Sequence, residues 1–303
     1  MTRTGSTETA LDVRDAHVTY LTKEGPVDAV TGVTLRIGRG ESVGVVGESG
    51  SGKSTLAAAC IGMLSIRLLN RTPVSITGSI GVLGDEVTSY GPRQWAQIRG
   101  NTVGYVGQDP FGVLNPVLRV KVHMEEALRH LPKRARMDRM RELLGAVELS
   151  AEVANAYPHE LSGGMRQRVA IAMAIANEPA LLIADEPTTA LDVTTQAEIL
   201  SLLGRLRSQR EMAILLISHD LGVVSQVCER TYVMLRGRIV EHGRVDKVLR
   251  FPDHEYTKAL LRGARLEIGP DGRFLTGMNL LDGDPSTRTE STPTGTEERR
   301  DAS

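Results

Sequence analysis

The stretch VGVVGESGSGKST, from Val43 to Thr55, decides the fold of this chain. Its first part, VGVVG, is an apolar run of strand length that leads directly into a glycine-rich loop. The following segment, STLAAACIGML, has helical character and contains no helix breaker before Gly62. A strand, a glycine-rich loop and a helix in this order are typical of a phosphate-binding loop.

The loop, Gly47–Thr55, matches the pattern G-x-x-x-x-G-K-[ST] and carries an additional glycine. Gly50 and Gly52 let the backbone curl so that successive N–H groups point at phosphate oxygens, with the N-terminus of the next helix behind them. In this pattern Lys53 reaches the β- and γ-phosphates, and the Ser54 hydroxyl binds Mg²⁺. The sequence therefore predicts a site for a nucleoside triphosphate with magnesium.

A second segment with recognisable chemistry is LLIADE, from Leu181 to Glu186. A buried strand that ends in Asp185 places a carboxylate at the carboxyl edge of a sheet, where it can hold Mg²⁺ through water. Glu186 points the other way and could polarise an attacking water as a general base. Alone, the segment would fit an ordinary strand followed by a helix-capping acid; beside a phosphate loop, it favours nucleotide hydrolysis.

Composition restricts the class of protein. Apolar residues make up 41% of the 303 residues, which is enough for a sizeable core. The 36 basic and 37 acidic residues nearly balance, so the chain has no large net charge that would attract nucleic acid or anionic lipid. The distant Cys60 and Cys228 predict two structural thiols in a reduced cytosolic protein. The N-terminus lacks a signal-peptide core, and no apolar run reaches the ~18 residues of a transmembrane helix. Any membrane role is expected to depend on a partner.

The order of the elements predicts an α/β fold with a mostly parallel, covered sheet, because buried strands alternate with helices. We predict a flexible N-terminus at residues 1–10 and one domain at residues 11–260. This domain contains a small antiparallel piece around SITGSIGVLGDEV and a largely helical part at about 91–178. Residues 261–303 form a C-terminal extension, predicted to be disordered from about residue 283 because its Ser, Thr, Pro and charged residues cannot bury a core.

A second glycine-containing helix start, LSGGMRQR, occupies residues 161–168. A serine and two glycines at the mouth of a helix expose backbone N–H groups that invite an anion. Three single residues are ambiguous by themselves. Tyr20 at a strand end would more often be a core aromatic, and Gln108 and His219 would ordinarily be turn residues.

Together, Tyr20, GESGSGKST, Gln108, LSGGMRQR, LLIADEP, TALD and His219 resemble the ATP-binding cassette (ABC) ATPases in order and spacing. The resemblance covers roughly residues 11–260. It implies a P-loop NTPase fold with a RecA-like core, a small antiparallel β subdomain and a helical subdomain. In this family two cassettes meet head to tail, and each signature loop binds the γ-phosphate held by the other chain. The two glycine loops of one chain would thus serve two different ATP molecules.

The resemblance implies a role for each matching residue. Glu186 would activate water, His219 and Lys53 would contact the γ-phosphate, and Asp192 would communicate across the dimer. Tyr20 would stack on adenine, and Ser54, Gln108 and Asp185 would support Mg²⁺. The signature residues that would act in trans are Ser162, Gly163 and Gly164. The residues that would wrap the phosphates of ATP are Gly47, Glu48, Ser49, Gly50, Ser51, Gly52, Lys53, Ser54 and Thr55.

A narrower resemblance is to the ATP-binding subunits of dipeptide, oligopeptide and nickel permeases, carried by GQDPFGVLNPVLRV, the long segment around LSGGMRQR, and FPDHEYTKALL. GGMRQR is closer to the D-type subunit than to its F-type partner. Two features depart from the family pattern. Glu255 stands where proline is usual, and no cysteine follows Cys228, so an iron–sulfur cluster is not implied.

The narrower resemblance implies an ATPase that drives import of di- or oligopeptides or a related small solute such as a nickel chelate. Its implied partners are a second ABC ATPase subunit in a heterodimer, two transmembrane permease subunits and an extracytoplasmic substrate-binding protein. The chain would lie peripherally on the cytoplasmic face of the cell membrane. One alternative is a soluble ABC ATPase acting on DNA or the ribosome, but those resemble coiled-coil, zinc-bearing or tandem-cassette proteins. Another is a regulatory ATP-binding module, against which the intact Glu186 and His219 argue.

Overall fold

The computed structural model describes residues 9–65, 72–264, 267–268 and 274–275, which contain twelve strands, ten α-helices and three short 3₁₀-helices. The strands are β1 (Thr9–Thr22), β2 (Gly25–Gly38), β3 (Ser42–Val46), β4 (Val74–Val82), β5 (Asp85–Glu86), β6 (Val103–Val106), β7 (Leu181–Asp185), β8 (Ala213–Ser218), β9 (Arg230–Leu235), β10 (Arg238–Arg244), β11 (Glu267–Ile268) and β12 (Phe274–Leu275). The helices are α1 (Lys53–Cys60), α2 (Pro92–Ile98), α3 (Pro110–Val113), α4 (Val120–Ala127), α5 (Lys133–Ala146), α6 (Gly163–Ala174), α7 (Val193–Arg210), α8 (Leu221–Val227), α9 (Val245–Arg250) and α10 (Glu255–Ala264).

The central sheet has six strands in the order β10-β9-β3-β8-β7-β6. All pairs from β9 to β6 are parallel, and β10 joins β9 as an antiparallel hairpin. Four crossovers by helices cover this sheet, as expected for parallel strands. The mostly parallel, covered sheet predicted from the alternation of strands and helices is therefore present.

Successive side chains of the central strands point to opposite faces, and each face has its own apolar core. On β7, Leu182 and Ala184 belong to the core under α6 and α7, whereas Leu181 and Ile183 belong to the core under α1 and the second sheet. All four side chains are fully buried. The near-continuous apolar runs of these strands thus follow from burial on both faces.

The second sheet is antiparallel, has the order β2-β1-β4-β5, and packs over α1. It contains the small antiparallel piece that the sequence predicts. The predicted flexible segment at residues 1–10 is wrong for its last two residues, because Thr9 and Ala10 are the first residues of β1. Ala10 is fully buried, and the Thr9 hydroxyl accepts a hydrogen bond from the Arg36 guanidinium at 2.9 Å. Residues 1–8 lie outside the described part of the chain.

The segment at 91–178 is largely helical, with α2 to α6, but it also contributes one strand to the central sheet. Strand β6 pairs in parallel with β7, and its four residues place the turn with Gln108 at the carboxyl edge. At the other end of the chain, α10 continues past residue 260 to Ala264. The tail predicted to be disordered from residue 283 lies outside the described residues.

No helix in the described ranges combines the length and the apolar character needed to cross a membrane.

Candidate nucleotide-binding site

The phosphate loop begins where β3 ends and closes at the first turn of α1. Gly47 and Gly52 are required in this loop because a side chain at either position would collide with neighbouring backbone. A Cβ at Gly47 would lie 2.1 Å from the Met234 carbonyl oxygen, and one at Gly52 would lie 2.2 Å from the Ala29 carbonyl oxygen. Gly52 also has a φ of +101°, which favours glycine. The loop backbone is therefore packed closely between β9 and β2.

Lys53 is buried at the first position of α1, with only 4% of its surface exposed. Its ammonium group donates to the Gly47 carbonyl at 2.7 Å, to the Glu48 carbonyl at 2.8 Å, and to the Ser51 hydroxyl at 3.3 Å. Burial lowers the pKa of Lys53, and the carboxylates of Glu186, Asp185 and Glu48 act in the opposite direction. The loop thus holds a cation against its own carbonyl oxygens.

A hydroxyl and a carboxylate meet at the base of the loop. The Ser54 hydroxyl donates to Asp185 Oδ1 at 3.1 Å, and the Tyr105 hydroxyl lies 3.5 Å from Asp185 Oδ2. Burial raises the pKa of Asp185, whereas the hydrogen bond from Ser54 lowers it. A divalent cation near this carboxylate would favour its ionised form.

These residues fit a magnesium ion that is shared with a nucleotide. Mg²⁺ prefers oxygen ligands, keeps several waters and is usually held by one or two protein groups together with phosphate oxygens. Ser54 and Asp185 supply a hydroxyl and a carboxylate side by side. Within the described residues no group of three His, Cys, Asp or Glu side chains could hold a metal alone. The donor set therefore suits an ion that arrives with the phosphates.

Glu186 lies one residue beyond β7, in a left-handed backbone conformation with a φ of +48°. Such a backbone costs roughly 1–2 kcal/mol for a residue with a Cβ. Its N–H donates to the Ile217 carbonyl at 2.9 Å, which fixes this turn to β8. The carboxylate contacts side chains that follow the neighbouring strands β6 and β8.

Three side chains converge on one carboxylate oxygen, Glu186 Oε2. Thr189 donates to it from its hydroxyl at 2.9 Å, and Gln108 donates from Nε2 at 3.4 Å. His219 places Nδ1 at 3.2 Å from the same oxygen. Since β6, β7 and β8 are parallel neighbours, their carboxyl ends bring Gln108, Glu186 and His219 to one edge of the sheet.

Many of the predicted residues line a cavity of about 690 Å³. Its described lining combines Gln108, Glu186 and His219 with seven residues of the phosphate loop, and it also includes Ala29, Thr189 and Leu260. The seven loop residues are Glu48, Ser49, Gly50, Gly52, Lys53, Ser54 and Thr55; Gly47, Ser51 and Asp185 are not among the lining residues. Tyr20 is not among these lining residues; its hydroxyl oxygen lies 3.5 Å from that of Thr55, and its ring packs partly buried against the core. The adenine-stacking role of Tyr20 therefore remains a prediction.

The signature residues cap helix α6 away from this cavity. Ser162 is the N-cap, and its hydroxyl accepts the Met165 N–H at 3.2 Å. A Cβ at Gly164 would lie 2.4 Å from Thr195 Cγ2, so α6 and α7 approach closely at this point. Asp192 caps α7 by accepting the Thr195 N–H at 2.9 Å, and the hydrogen bonds from Thr195 lower the pKa of Asp192. None of Ser162, Gly163 and Gly164 is among the described lining residues of the cavity.

Sequence reasoning assigned no role to three residues at this site. Thr189 donates to Glu186, Tyr105 lies beside Asp185, and the Tyr256 hydroxyl accepts the N–H of Glu48 at 2.8 Å. Thr189 stands three residues after Glu186, a spacing that could have indicated a turn closed by a side chain. Tyr256 has no such signal, because 208 residues separate it from Glu48.

Comparison with known proteins agrees with this geometry. The sequence matches the family described as ABC transporter over residues 30–189, which include the phosphate loop, Gln108, the signature loop and Glu186. The chain belongs to this family. It is accordingly an ATP-binding cassette with ATPase activity, as the resemblance of its motifs implied.

Particular relatives are transport proteins. The chain is 43% identical over 264 residues to the probable D,D-dipeptide transport ATP-binding protein DdpD of Escherichia coli (strain K12), covering 85% of this chain and 79% of the relative. It is 42% identical over 258 residues to the oligopeptide transport ATP-binding protein AppD of Bacillus subtilis (strain 168), covering 84% and 77%.

Solved structures show the same cassette fold. A dimeric structure of a post-hydrolysis state of the ATP-binding cassette MJ0796, bound to ADP and Pi, matches with a TM-score of 0.67 and 30% identity, and covers 78% of this chain and 98% of that one. CbiO1 of Clostridium perfringens, part of the ABC transporter complex CbiONQ, matches with a TM-score of 0.67 and 26% identity. The P-loop ABC fold predicted from the sequence is confirmed.

Proposed function

We propose that this chain is the ATP-hydrolysing subunit of a membrane importer for di- or oligopeptides, or for a related small solute such as a nickel chelate. The observation that carries the chemistry is the convergence of Thr189, Gln108 and His219 on Glu186 at the rim of the phosphate-loop cavity. The relatives named as dipeptide and oligopeptide transport proteins support the substrate class.

In the proposed reaction Glu186 is the general base. The three donors among the described residues contact Oε2, which leaves Oε1 to take a proton from the water that attacks the γ-phosphorus. Lys53 would exchange its hydrogen bonds to the Glu48 carbonyl and the Ser51 hydroxyl for phosphate oxygens when ATP enters, while the Gly47 carbonyl continues to hold its ammonium group. His219 would contact the γ-phosphate. Mg²⁺ held near Ser54 and Asp185 would neutralise charge that develops on the transferring phosphate.

Closure of two cassettes would complete the site. The signature N–H groups of Ser162, Gly163 and Gly164 begin a helix and suit an anion, yet they lie outside the cavity of their own chain. A second ABC ATPase subunit bound head to tail would bring its signature loop to this cavity. Hydrolysis then requires both chains, because the water-excluding, fully assembled site exists only when they meet.

A groove beside the helical part is the proposed docking surface for a transmembrane permease subunit. A second cavity, of about 320 Å³, lies between β6 and the helices α4 and α6, and its lining includes Ala127, Ala170 and Met173. Val113, which also lines this cavity, is 45% exposed, and Val117 and Val122, which follow it in the chain, are 74% and 39% exposed. Apolar surface of this kind marks a contact site, and Gln108 lies at the end of the same strand. Two such permease subunits and an extracytoplasmic binding protein would place the chain peripherally on the cytoplasmic face of the membrane.

The first experiment is a mild-detergent pull-down of the tagged chain from its native membranes, followed by mass spectrometry. We expect two multi-spanning permease subunits, a second ABC cassette and an extracytoplasmic binding protein. Recovery of ribosomes or DNA-bound proteins without membrane proteins would favour a soluble ABC ATPase instead. The Glu186→Gln chain, purified in the same way, controls for partners that bind only in one nucleotide state.

A further inference from the structure

Helix α10 contacts the phosphate loop although it lies outside the segment that matches the family. The matched residues end at 189, and α10 spans Glu255–Ala264. The Tyr256 hydroxyl accepts a hydrogen bond from the backbone N–H of Glu48 at 2.8 Å. One helical turn later, Leu260 lines the nucleotide cavity. Because positions four apart share one face of a helix, Tyr256 and Leu260 present a single surface of α10 to the loop.

The contacted N–H belongs to the peptide group that also holds Lys53. The carbonyl of Gly47 and the N–H of Glu48 are the two ends of one planar peptide unit. Lys53 Nζ donates to that carbonyl at 2.7 Å, while Tyr256 accepts from that N–H at 2.8 Å. Rotation of this peptide would break both hydrogen bonds together. Hydrogen bonds at the two ends of one amide also polarise each other and so reinforce the arrangement.

The start of α10 is fixed independently of the loop. The Glu241 carboxylate on β10 accepts the N–H of Asp253 at 2.9 Å and that of His254 at 3.1 Å. Thr257, next to Tyr256, is fully buried. These contacts hold the helix against β10, so the Tyr256 hydroxyl is presented from a rigid support.

The phenol is suited to accept a hydrogen bond at neutral pH. Tyr256 is partly buried, and this burial raises its pKa, against the hydrogen bond from Glu48, which lowers it. The group therefore stays neutral and keeps its proton. A neutral hydroxyl fixes a backbone N–H without adding negative charge beside the phosphates.

We propose that Tyr256 is a positioning residue for Lys53: its hydroxyl orients the Gly47–Glu48 peptide, whose carbonyl holds the ammonium group, so that helix α10 sets the affinity of the phosphate loop for nucleotide. This inference rests on the proposed nucleotide role of Lys53. It makes helix α10 part of the binding site through one hydrogen bond.

The test is equilibrium binding of ATP to the full chain in four variants that form a cycle: wild type, Tyr256→Phe, Lys53→Ala and the double substitution. Tyr256→Phe removes only the hydroxyl oxygen. We expect the Kd for ATP to rise about 3- to 10-fold, the range for one lost hydrogen bond. In the Lys53→Ala background the same change is expected to alter the Kd by less than about 2-fold, because the group that Tyr256 positions is gone.

Two results would overturn the inference. One is an unchanged Kd in Tyr256→Phe. The other is an equal effect with and without Lys53, which would show that Tyr256 acts on the site by another route. A wild-type chain that bound no ATP would instead count against the proposed function as well, so the two failures are distinguishable. Tyr232→Phe is the matched control, since its hydroxyl also accepts a backbone N–H, from Arg36 at 3.2 Å.

A second variant keeps the test decisive if Tyr256→Phe folds poorly. Glu241→Ala removes the acceptor of the Asp253 and His254 N–H groups without touching the loop or Tyr256. We expect it to weaken ATP binding in the same direction and to show the same dependence on Lys53. Faster amide exchange across residues 253–258 would show that α10 is no longer held in place in the Glu241→Ala chain. If that chain is folded and still binds ATP with an unchanged Kd, the proposal is contradicted.

Discussion

At the scale of single residues, Glu186 is held by contacts of both its backbone and its side chain. Its backbone has a positive φ of +48°, its N–H is bound to β8, and three side chains contact Oε2. Strained backbone persists where surrounding contacts over-determine it, which is common at catalytic positions. These contacts restrict the orientation of the carboxylate, so Oε1 is held in a defined position from which it would contact a water molecule.

We expect Glu186→Gln to bind ATP with unchanged affinity and to lower turnover about 10²–10⁴-fold, the usual contribution of a general base. The amide keeps the shape of the side chain but cannot take up a proton. The measurement is ATP binding alongside steady-state phosphate release by the assembled transporter. Glu178→Gln is a matched control, because Glu178 also has a positive φ, of +53°, and lies outside the cavity. Turnover close to that of wild type would remove Glu186 from its proposed role.

Lys53 and Glu186 could be named from their own sequence segments, whereas Gln108 and His219 were assigned a role only through the resemblance of the whole set of motifs to a family. Lys53 opens a helix, Glu186 and His219 follow strands, and strand ends of a parallel sheet converge in space. The contact of Tyr256 with Glu48 could not be predicted, since it depends on how α10 packs after the whole chain has folded. The strand start at Thr9 and Ala10 could not be predicted either, because the polar residues before it give no local sign of where β1 begins.

At the scale of elements, the signature helix α6 is anchored by one buried cation. Arg168 has a side chain only 10% exposed. It donates to the Val147 carbonyl after α5 at 2.9 Å, to Glu148 at 2.7 Å, and to Glu198 on α7 at 2.9 Å. Three elements are thus joined through a single guanidinium, whose planar fork suits such a junction. The orientation of the signature loop depends on these contacts.

We expect Arg168→Met to lower the free energy of unfolding at pH 7 by about 1–3 kcal/mol, because Val147 loses a buried donor while the two carboxylates, about half exposed, are partly compensated by water. Urea unfolding measures it. Arg141→Met is the control, because its partner Asp138 and Arg141 are both well exposed. We expect that variant to change stability by at most about 0.5 kcal/mol.

The same ion pair predicts a pH dependence. The hydrogen bond from Arg168 lowers the pKa of Glu148; burial opposes this shift, and Arg205 reinforces it. A lowered pKa contributes stability that is present above the ordinary value of 4.5 and is lost as pH falls through the folded-state value. The stability difference between wild type and Glu148→Gln should therefore be largest near neutral pH and shrink below about pH 4. A difference that is constant between pH 7 and pH 3 would contradict this account.

The elements themselves were largely predictable, since apolar runs, glycine turns and amphipathic segments mark them in the sequence. The hairpin of β9 and β10 and the strands β7 and β8 are examples. Strand β6 is harder to predict, because it has only four residues within a stretch that is otherwise helical. It pairs in parallel with β7, and for such a short strand the contacts with sheet neighbours weigh more than the local sequence pattern.

At the scale of the whole molecule, the proposed pairing of two cassettes would make one chain contribute to two different nucleotide sites. The cavity with Lys53 and Glu186 and the signature loop at Ser162–Gly164 are separate surfaces of this chain. A head-to-tail pair of cassettes would contain two complete sites, and each would use residues from both chains. A substitution in the signature loop should therefore affect hydrolysis of the ATP that is bound by the partner chain.

We expect Gly163→Asp to leave ATP binding by the isolated chain within about 2-fold of wild type and to lower ATP hydrolysis by the assembled transporter about 10²-fold. The new carboxylate would repel the γ-phosphate held by the partner, a loss comparable to that of one transition-state donor. Gly145→Asp is the control, because Gly145 lies on the exposed side of α5 with open space around it. Weaker ATP binding by the isolated Gly163→Asp chain would show that the signature acts within its own chain.

The burial of both cysteines has a practical consequence for labelling chemistry. The sequence contains only Cys60 and Cys228, which are 0% and 8% exposed, and burial raises the pKa of Cys60 to about 12 and that of Cys228 further still. Protonated, enclosed thiols react slowly with maleimides and other electrophiles. A single cysteine placed at Val117, which is 74% exposed, would therefore be the fast-reacting thiol of an otherwise native chain. Crosslinking reagents could map the neighbour of that surface without first building a cysteine-free protein.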